Sequence, residues 1–227
     1  MALPDYFNHY DKRVTNYSLN ELNNFLKWCS ELLGHEPTIV GGWAVYGFAP
    51  GHLGSRDIDV VFANNKLVHE VMNKYYFYND FKEEGDLEKS FAKTVDVNGK
   101  PEKIVFDVSS YERINRLKEN PAIQVPWNLI ETYKKRQSLN GLKMWTPSLE
   151  LLLGYKVKAL RDRRFDLSRL GPEVQQSQRA HLESKIWKDE QDIKALLNTG
   201  QANQKQVNEI LEKTGFTELY KKALKEF

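Results

Sequence analysis

Ile39-Val40-Gly41-Gly42-Trp43-Ala44-Val45-Tyr46-Gly47-Phe48 is followed, after a short loop, by Gly54-Ser55-Arg56-Asp57-Ile58-Asp59-Val60-Val61-Phe62. The pair reads as strand, glycine turn, short helix, loop and then a strand that carries two carboxylates. Asp57 and Asp59 are two positions apart, so on an extended chain both side chains leave the same face. Like charges that close repel unless a multivalent cation or a proton sits between them. Ile58 and Val60 point the other way and give the strand a reason to be buried. Hard oxygen ligands on a rigid element are what Mg²⁺ takes in phosphate chemistry. Gly41-Gly42 leaves bare backbone at the head of a helix, where free N–H groups can receive a phosphate.

Gly41-Gly42, a spacer from Trp43 to Arg56 and then Asp57-Ile58-Asp59-Val60 resembles the signature of the DNA polymerase β-like nucleotidyltransferase superfamily. The spacer is slightly long for that pattern and implies an extra loop residue or two. Gly41-Gly42-Trp43-Ala44-Val45 is similar to the antibiotic adenylyltransferases, and Ser55-Arg56-Asp57-Ile58-Asp59 to the toxin-type nucleotidyltransferases of abortive-infection systems. The resemblance implies a mixed α/β (α+β) fold. It also implies two Mg²⁺ ions on Asp57 and Asp59, and an NTP whose β and γ phosphates lie on Gly41, Gly42, Ser55 and Arg56. A non-functional role for Arg56 is also open, as the counter-charge that holds Asp57. Trp43 either packs behind the glycine turn or walls the nucleotide pocket.

At 227 residues the chain has length for one large domain or two small ones. The formal charge of +2 is uneven: 14 basic and 18 acidic residues up to Ile130, 19 and 13 after it. A basic second half suits a polyphosphate or an RNA backbone, and equally an ordinary solvated helix surface. With Cys29 as the one cysteine, no internal disulfide forms and a reducing cytoplasm is expected. The thiol falls on an amphipathic helix, as a small buried apolar group. Met1 to Tyr10 carries no apolar signal segment, and no run approaches membrane-spanning length.

Ser18-Leu19-Asn20-Glu21 reads as a capping box for a helix that ends at Gly34. Asn65 to Tyr76 predicts a second helix with Leu67, Val68, Val71 and Tyr75 on one side. Ser90 to Val97 and Glu102 to Ser109 read as a hairpin across Asn98-Gly99, and two more strands flank Asn140-Gly141. Thr146-Pro147 predicts a cap and first-turn proline for a helix running to about Arg164. Phe165 to Ser184 is polar and contains Gly171-Pro172, which predicts a connector or flap. Helices are expected again over 185–197, 203–213 and 217–226. The division is a catalytic domain at 1–146 and a helical domain at 147–227.

A third acid is expected from a neighbouring strand to take the acceptor proton and a metal. Asp107, in the apolar run Ile104-Val105-Phe106-Asp107-Val108, is the candidate. The pleat turning it to solvent is the alternative, and Asp96 is the runner-up. In the helical half, Lys156 falls on the stripe of Leu149 and Leu160, and Asp189 lies between Ile186, Ile193 and Leu196. Such charges either bridge one another or line a cleft that faces a ligand. Lys156 to Arg163 and Lys188 to Ile193 resemble the same families, in which a helical lysine precedes Ala-Leu-x-x-Arg and a basic-Asp-x-x-Asp segment follows. By that match Lys156 binds nucleotide phosphates and Asp189 completes the cleft or positions the acceptor.

There is no Walker-type loop, and the five histidines lack metal-ligand spacing. Tyr75 to Tyr78 with Phe81 reads as core, or as a base-stacking surface. The function expected is transfer of an NMP from an NTP to an acceptor hydroxyl: an RNA or tRNA end, a protein or a small-molecule antibiotic. The alternative is a non-catalytic module on the same fold, binding RNA or a cognate antitoxin.

Overall fold

The structure, a computed structural model, describes residues 11–84, 90–139, 141–171 and 176–227. The described residues form one mixed sheet with helices on both faces and a helical C-terminal part, the α/β class expected. In chain order the elements are α1 (Lys12–Trp28), β1 (Thr38–Val40), α2 (Gly41–Phe48), β2 (Ile58–Phe62) and α3 (Asn65–Glu70). Then come β3 (Lys82–Glu84), β4 (Ser90–Val97), β5 (Lys100–Ser110), α4 (Leu129–Tyr133), β6 (Lys134–Leu139) and β7 (Leu142–Pro147). The chain closes with α5 (Leu149–Ser168), α6 (Gln176–Asn198), α7 (Gln204–Thr214) and α8 (Thr217–Leu224). The strand order is β3-β4-β5-β2-β1-β7-β6. β2 lies at the centre, parallel to β5 and antiparallel to β1.

Alternation on β2 sorts its side chains between two cores. Ile58, Val60 and Phe62 join Leu22 and Phe25 of α1, Val71 and Tyr75 of the π-helical turns Val71–Tyr76 that follow α3, and Phe106 of β5. Val61 faces the other way, into a core with Val40, Ala44 and the apolar residues of α5, α6, α7 and α8. Asp59 shares the parity of Val61, so the pleat aims it at the C-terminal helices, and Asp57, in the bend just before β2, reaches Lys185 of α6. α5 is packed between the sheet side and its helical neighbours, so Leu149, Leu151, Leu152, Leu153, Val157 and Leu160 are all buried.

The Asn98-Gly99 hairpin is as expected: both residues take left-handed φ, 57° and 79°, the geometry of a two-residue turn. Residue 140 lies outside the described residues, although its flanking strands pair as expected. Tyr75, Tyr76 and Phe81 are core, whereas Phe77 and Tyr78 are exposed. Cys29 is fully buried, and burial pushes its thiol up, out of nucleophilic range.

Three expectations are corrected. The first helix starts at Lys12 with Asp11 as its cap, because Val14 extends the buried stripe one turn upstream of Ser18. Ser18 is instead a buried mid-helix hydroxyl that accepts the Trp43 indole N–H at 3.0 Å. Glu21 takes the Tyr75 hydroxyl at 2.6 Å and the Lys93 ammonium at 2.5 Å. The cap of α5 is Ser148, not Thr146: Thr146 is held in the β6–β7 ladder opposite Lys135, leaving the next hydroxyl to cap. The connector is shorter than expected. α5 runs on to Ser168 and α6 begins at Gln176, because the polar residues there form solvated helix faces rather than loop. Residues 172–175 lie outside the described residues. No helix among the described residues is long and apolar enough to cross a membrane.

Candidate functional site

The site begins where β1 ends. Val40 pairs with Asp59, which brings Gly41 against the Asp59 carboxylate. Gly41 turns the chain with φ 64°, and a Cβ there would overlap that carboxylate. The next residue, Gly42, opens a second gap: a Cβ on it would lie 2.7 Å from Lys188 Nζ and 2.9 Å from the Ser55 Cβ. α2 starts at this turn, and the first N–H groups of a helix have no partner inside it.

Register carries the acids across the sheet. Asp59 stands directly opposite Asp107 in the parallel β2–β5 pair, so the two leave the same face. Asp107 accepts a hydrogen bond from the Ser90 hydroxyl. Asp96 is exposed on the far part of β4, where its carboxylate accepts the Gly99 N–H at 2.8 Å. It is spent on the turn.

Cations from α5 and α6 complete the cleft. Asp57 is ion-paired with Lys185 and with Arg56, whose Nε lies 3.0 Å from the carboxylate. Burial alone would raise the Asp57 carboxyl, but Lys185 and Arg56 override it and hold the group well below the usual range. Asp59 behaves oppositely: burial and the adjacent Asp57 charge raise it, against the opposing pull of Lys156, Lys185 and Lys188. Lys156 is 8% exposed, and its Nζ lies 2.6 Å from Asp192 and 3.5 Å from Asp189. Asp192 also holds Lys188 at 2.8 Å and His52 at 2.9 Å, while Asp189 is paired with Arg163. Burial lowers Lys188 to about 8, partly offset by Asp192. These cations hold Asp192 low against its own burial.

Gly41, Gly42, Ser55, Arg56, Asp57, Asp59 and Lys156 therefore gather around one end of β2, with Asp107 one strand over. Asp189 stands behind them, on Lys156 and Arg163. Arg56 is ion-paired with Asp57, and Trp43 is buried with its indole on Ser18. Lys156 and Asp189 bridge, as one of the two expectations had it, while the Lys156 ammonium also acts on the Asp59 carboxylate. Sequence reasoning missed Lys185 and His52, and it met Lys188 and Asp192 only as members of the basic-Asp-x-x-Asp segment. Lys185 had a signal: 185, 188, 189 and 192 recur every three or four residues and so share the inward stripe of α6. His52 had none, since a loop has no periodicity.

As a binding surface the cleft offers flexible cations and bare backbone beside paired carboxylates. Such a set suits a polyanion delivered with a divalent cation. Among the described residues no three His, Cys, Asp or Glu side chains form a ready metal cage. Asp57 is turned to Lys185 and Arg56, and Asp107 to Ser90.

No family model matches the chain, and no curated protein does. The crystal structure of an antigenic nucleotidyltransferase-like protein from Paracoccidioides brasiliensis is similar over 93% of each chain, at 17% identity and a TM-score of 0.47. A likeness of that size says nothing about what this chain binds, and any functional reading rests on the cleft.

Proposed function

We propose that the protein is a metal-dependent nucleotidyltransferase that moves an NMP from an NTP to an acceptor hydroxyl and releases pyrophosphate. One observation carries this reading: Asp59 and Asp107 stand abreast on neighbouring strands, with Asp57 two residues before Asp59, facing a bare Gly41-Gly42 turn and three lysines. The donor set fits a hard divalent cation in kind, and the raised Asp59 carboxyl marks a place where added positive charge is favoured. Asp57, Asp59 and Asp107 would hold two Mg²⁺ ions, with Lys185 leaving Asp57 as they bind. Bound there, the ions would polarise the phosphates and lower the pKa of the acceptor hydroxyl.

The chain's own residues supply the rest. Gly41 and Gly42 admit the phosphates to the backbone N–H groups of α2, and Ser55 and Arg56 donate to the same oxygens. Asp107 takes the proton of the attacking hydroxyl. Lys156, Lys185 and Lys188 neutralise the charge that develops on the leaving pyrophosphate, and Asp189 and Asp192 keep Lys156 and Lys188 in place. Catalysis of this kind is mostly orientation and charge compensation.

The test is thermal stability titrated with Mg²⁺ and each NTP. We expect a shift that needs both, and that is lost in Asp57→Asn and Asp59→Asn. Absence of any nucleotide-dependent shift defeats the reading. Labelled NTPs incubated with total RNA, a protein extract and aminoglycosides then identify the acceptor.

The Lys185–Asp57 pair favours a second reading, a non-catalytic module for RNA or a protein partner such as an antitoxin. There the lysine replaces a metal permanently. In that case Lys185→Ala leaves Mg²⁺ binding absent, whereas for the enzyme it strengthens Mg²⁺ binding.

A further inference from the structure

The β-sheet register extends one strand beyond the carboxylates. Ser90 opens β4 directly opposite Asp107 in the antiparallel β4–β5 pair, as Asp107 stands opposite Asp59 in the parallel β2–β5 pair. Asp59, Asp107 and Ser90 therefore form a row across three adjacent strands with all three side chains on one face. Neighbouring strands are spaced by about 4.8 Å, so one such spacing separates the serine from Asp107 and β5 alone lies between it and Asp59. The Ser90 hydroxyl donates a hydrogen bond to the Asp107 carboxylate, and the residue is half-buried. A hydroxyl hydrogen-bonded to the general base is the arrangement an acceptor adopts before attack.

We infer that Ser90 is a self-acceptor: the protein nucleotidylates its own Ser90 hydroxyl. The inference rests on the nucleotidyl-transfer reading above. In the step, Ser90 Oγ attacks the α-phosphorus of a bound NTP and the Oγ–P bond forms. The bond from that phosphorus to the α,β-bridging oxygen breaks, and pyrophosphate departs with the electron pair. The hydroxyl proton passes to Asp107. The product is a phosphodiester between the serine and the nucleoside, standing over Asp107. It closes the place where any external acceptor must dock, so the modification limits the enzyme's own turnover.

The sequence makes the adduct easy to find. Lys89 and Lys93 bracket Ser90-Phe91-Ala92-Lys93, a tryptic tetrapeptide in which Ser90 is the one hydroxyl-bearing side chain. The full-length protein is incubated with Mg²⁺ and each α-labelled NTP without added acceptor, then followed by intact mass and peptide mapping. We expect a gain of one nucleoside monophosphate on that tetrapeptide, at a rate per molecule independent of protein concentration. Ser90→Ala and Asp107→Asn lose the label, Ser90→Thr keeps part of it, and Ser90→Ala keeps its Mg²⁺-NTP thermal shift. Label on another residue, or no label from protein that shows the thermal shift, overturns self-modification and leaves nucleotide binding standing. Absence of the shift in the unsubstituted protein overturns both.

Discussion

Gly41 shows how much a single position decides. It must turn the chain with positive φ at the end of β1 and leave its Cβ direction empty for Asp59. Alanine fails on both counts: the left-handed backbone alone costs about 1–2 kcal/mol, and the methyl would push the carboxylate aside. Gly41→Ala is expected to lower urea-unfolding stability by about that amount and to abolish the Mg²⁺-NTP thermal shift. Gly42→Ala escapes the left-handed penalty, but its methyl meets the Ser55 Cβ as well as the movable end of Lys188, so the Ser55 loop must shift to admit it. Lys188 itself sets a pH signature. Its pKa of about 8 means the cation is neutralised as pH rises through that value. Nucleotide affinity should therefore weaken between pH 7 and 9. Lys188→Met should bind about tenfold more weakly at pH 7, the equivalent of about 1.4 kcal/mol, and show a flatter profile by isothermal titration.

At the scale of the element, α6 carries the cleft. Its inward stripe holds Lys185, Lys188, Asp189 and Asp192, so the helix delivers cations with their counter-charges attached. Asp192 is the keystone, fully buried and bound to Lys156, Lys188 and His52. Removing one partner of a buried ion network leaves charge uncompensated, and Asp192→Ala should cost about 3–5 kcal/mol in chemical unfolding. The acid dependence follows from its depressed pKa. Between its folded and unfolded values the unfolded chain binds the proton first, so the contribution is complete above 3.8 and is lost as pH falls below it. The stability difference between unsubstituted protein and Asp192→Ala should narrow in acid. Periodicity in the sequence exposed Lys156 and Asp189 because charges on an apolar stripe are conspicuous. It could not say that Asp192, one turn on, was the more deeply engaged carboxylate, since that depends on where α5 crosses α6. The same limit explains the misplaced ends of α1 and α5. Ser18 and Thr146 have the chemistry of caps, but an indole and a β-ladder claimed them.

Across the whole molecule, the core beside the C-terminal helices draws residues from β1, α2 and β2 as well as from α5 to α8. Leu152, fully buried in α5, lies in that shared core. Leu152→Ala should cost about 2–5 kcal/mol. If the core is shared as described, tryptophan fluorescence and far-UV circular dichroism should report one coincident unfolding transition.

The strands other than β3, the hairpin turn at Asn98-Gly99, the glycine turn and the neighbouring acids Asp57 and Asp59 were legible in the sequence. Each is fixed by local backbone preference and by the alternation of apolar and polar side chains, which neighbours in the chain settle among themselves. Tertiary structure alone decided that Asp107 and Ser90 line up with Asp59, and that Lys185 closes on Asp57. Strand order and helix crossing are set by how two separate apolar faces bury each other, and no spacing along the chain encodes that distance.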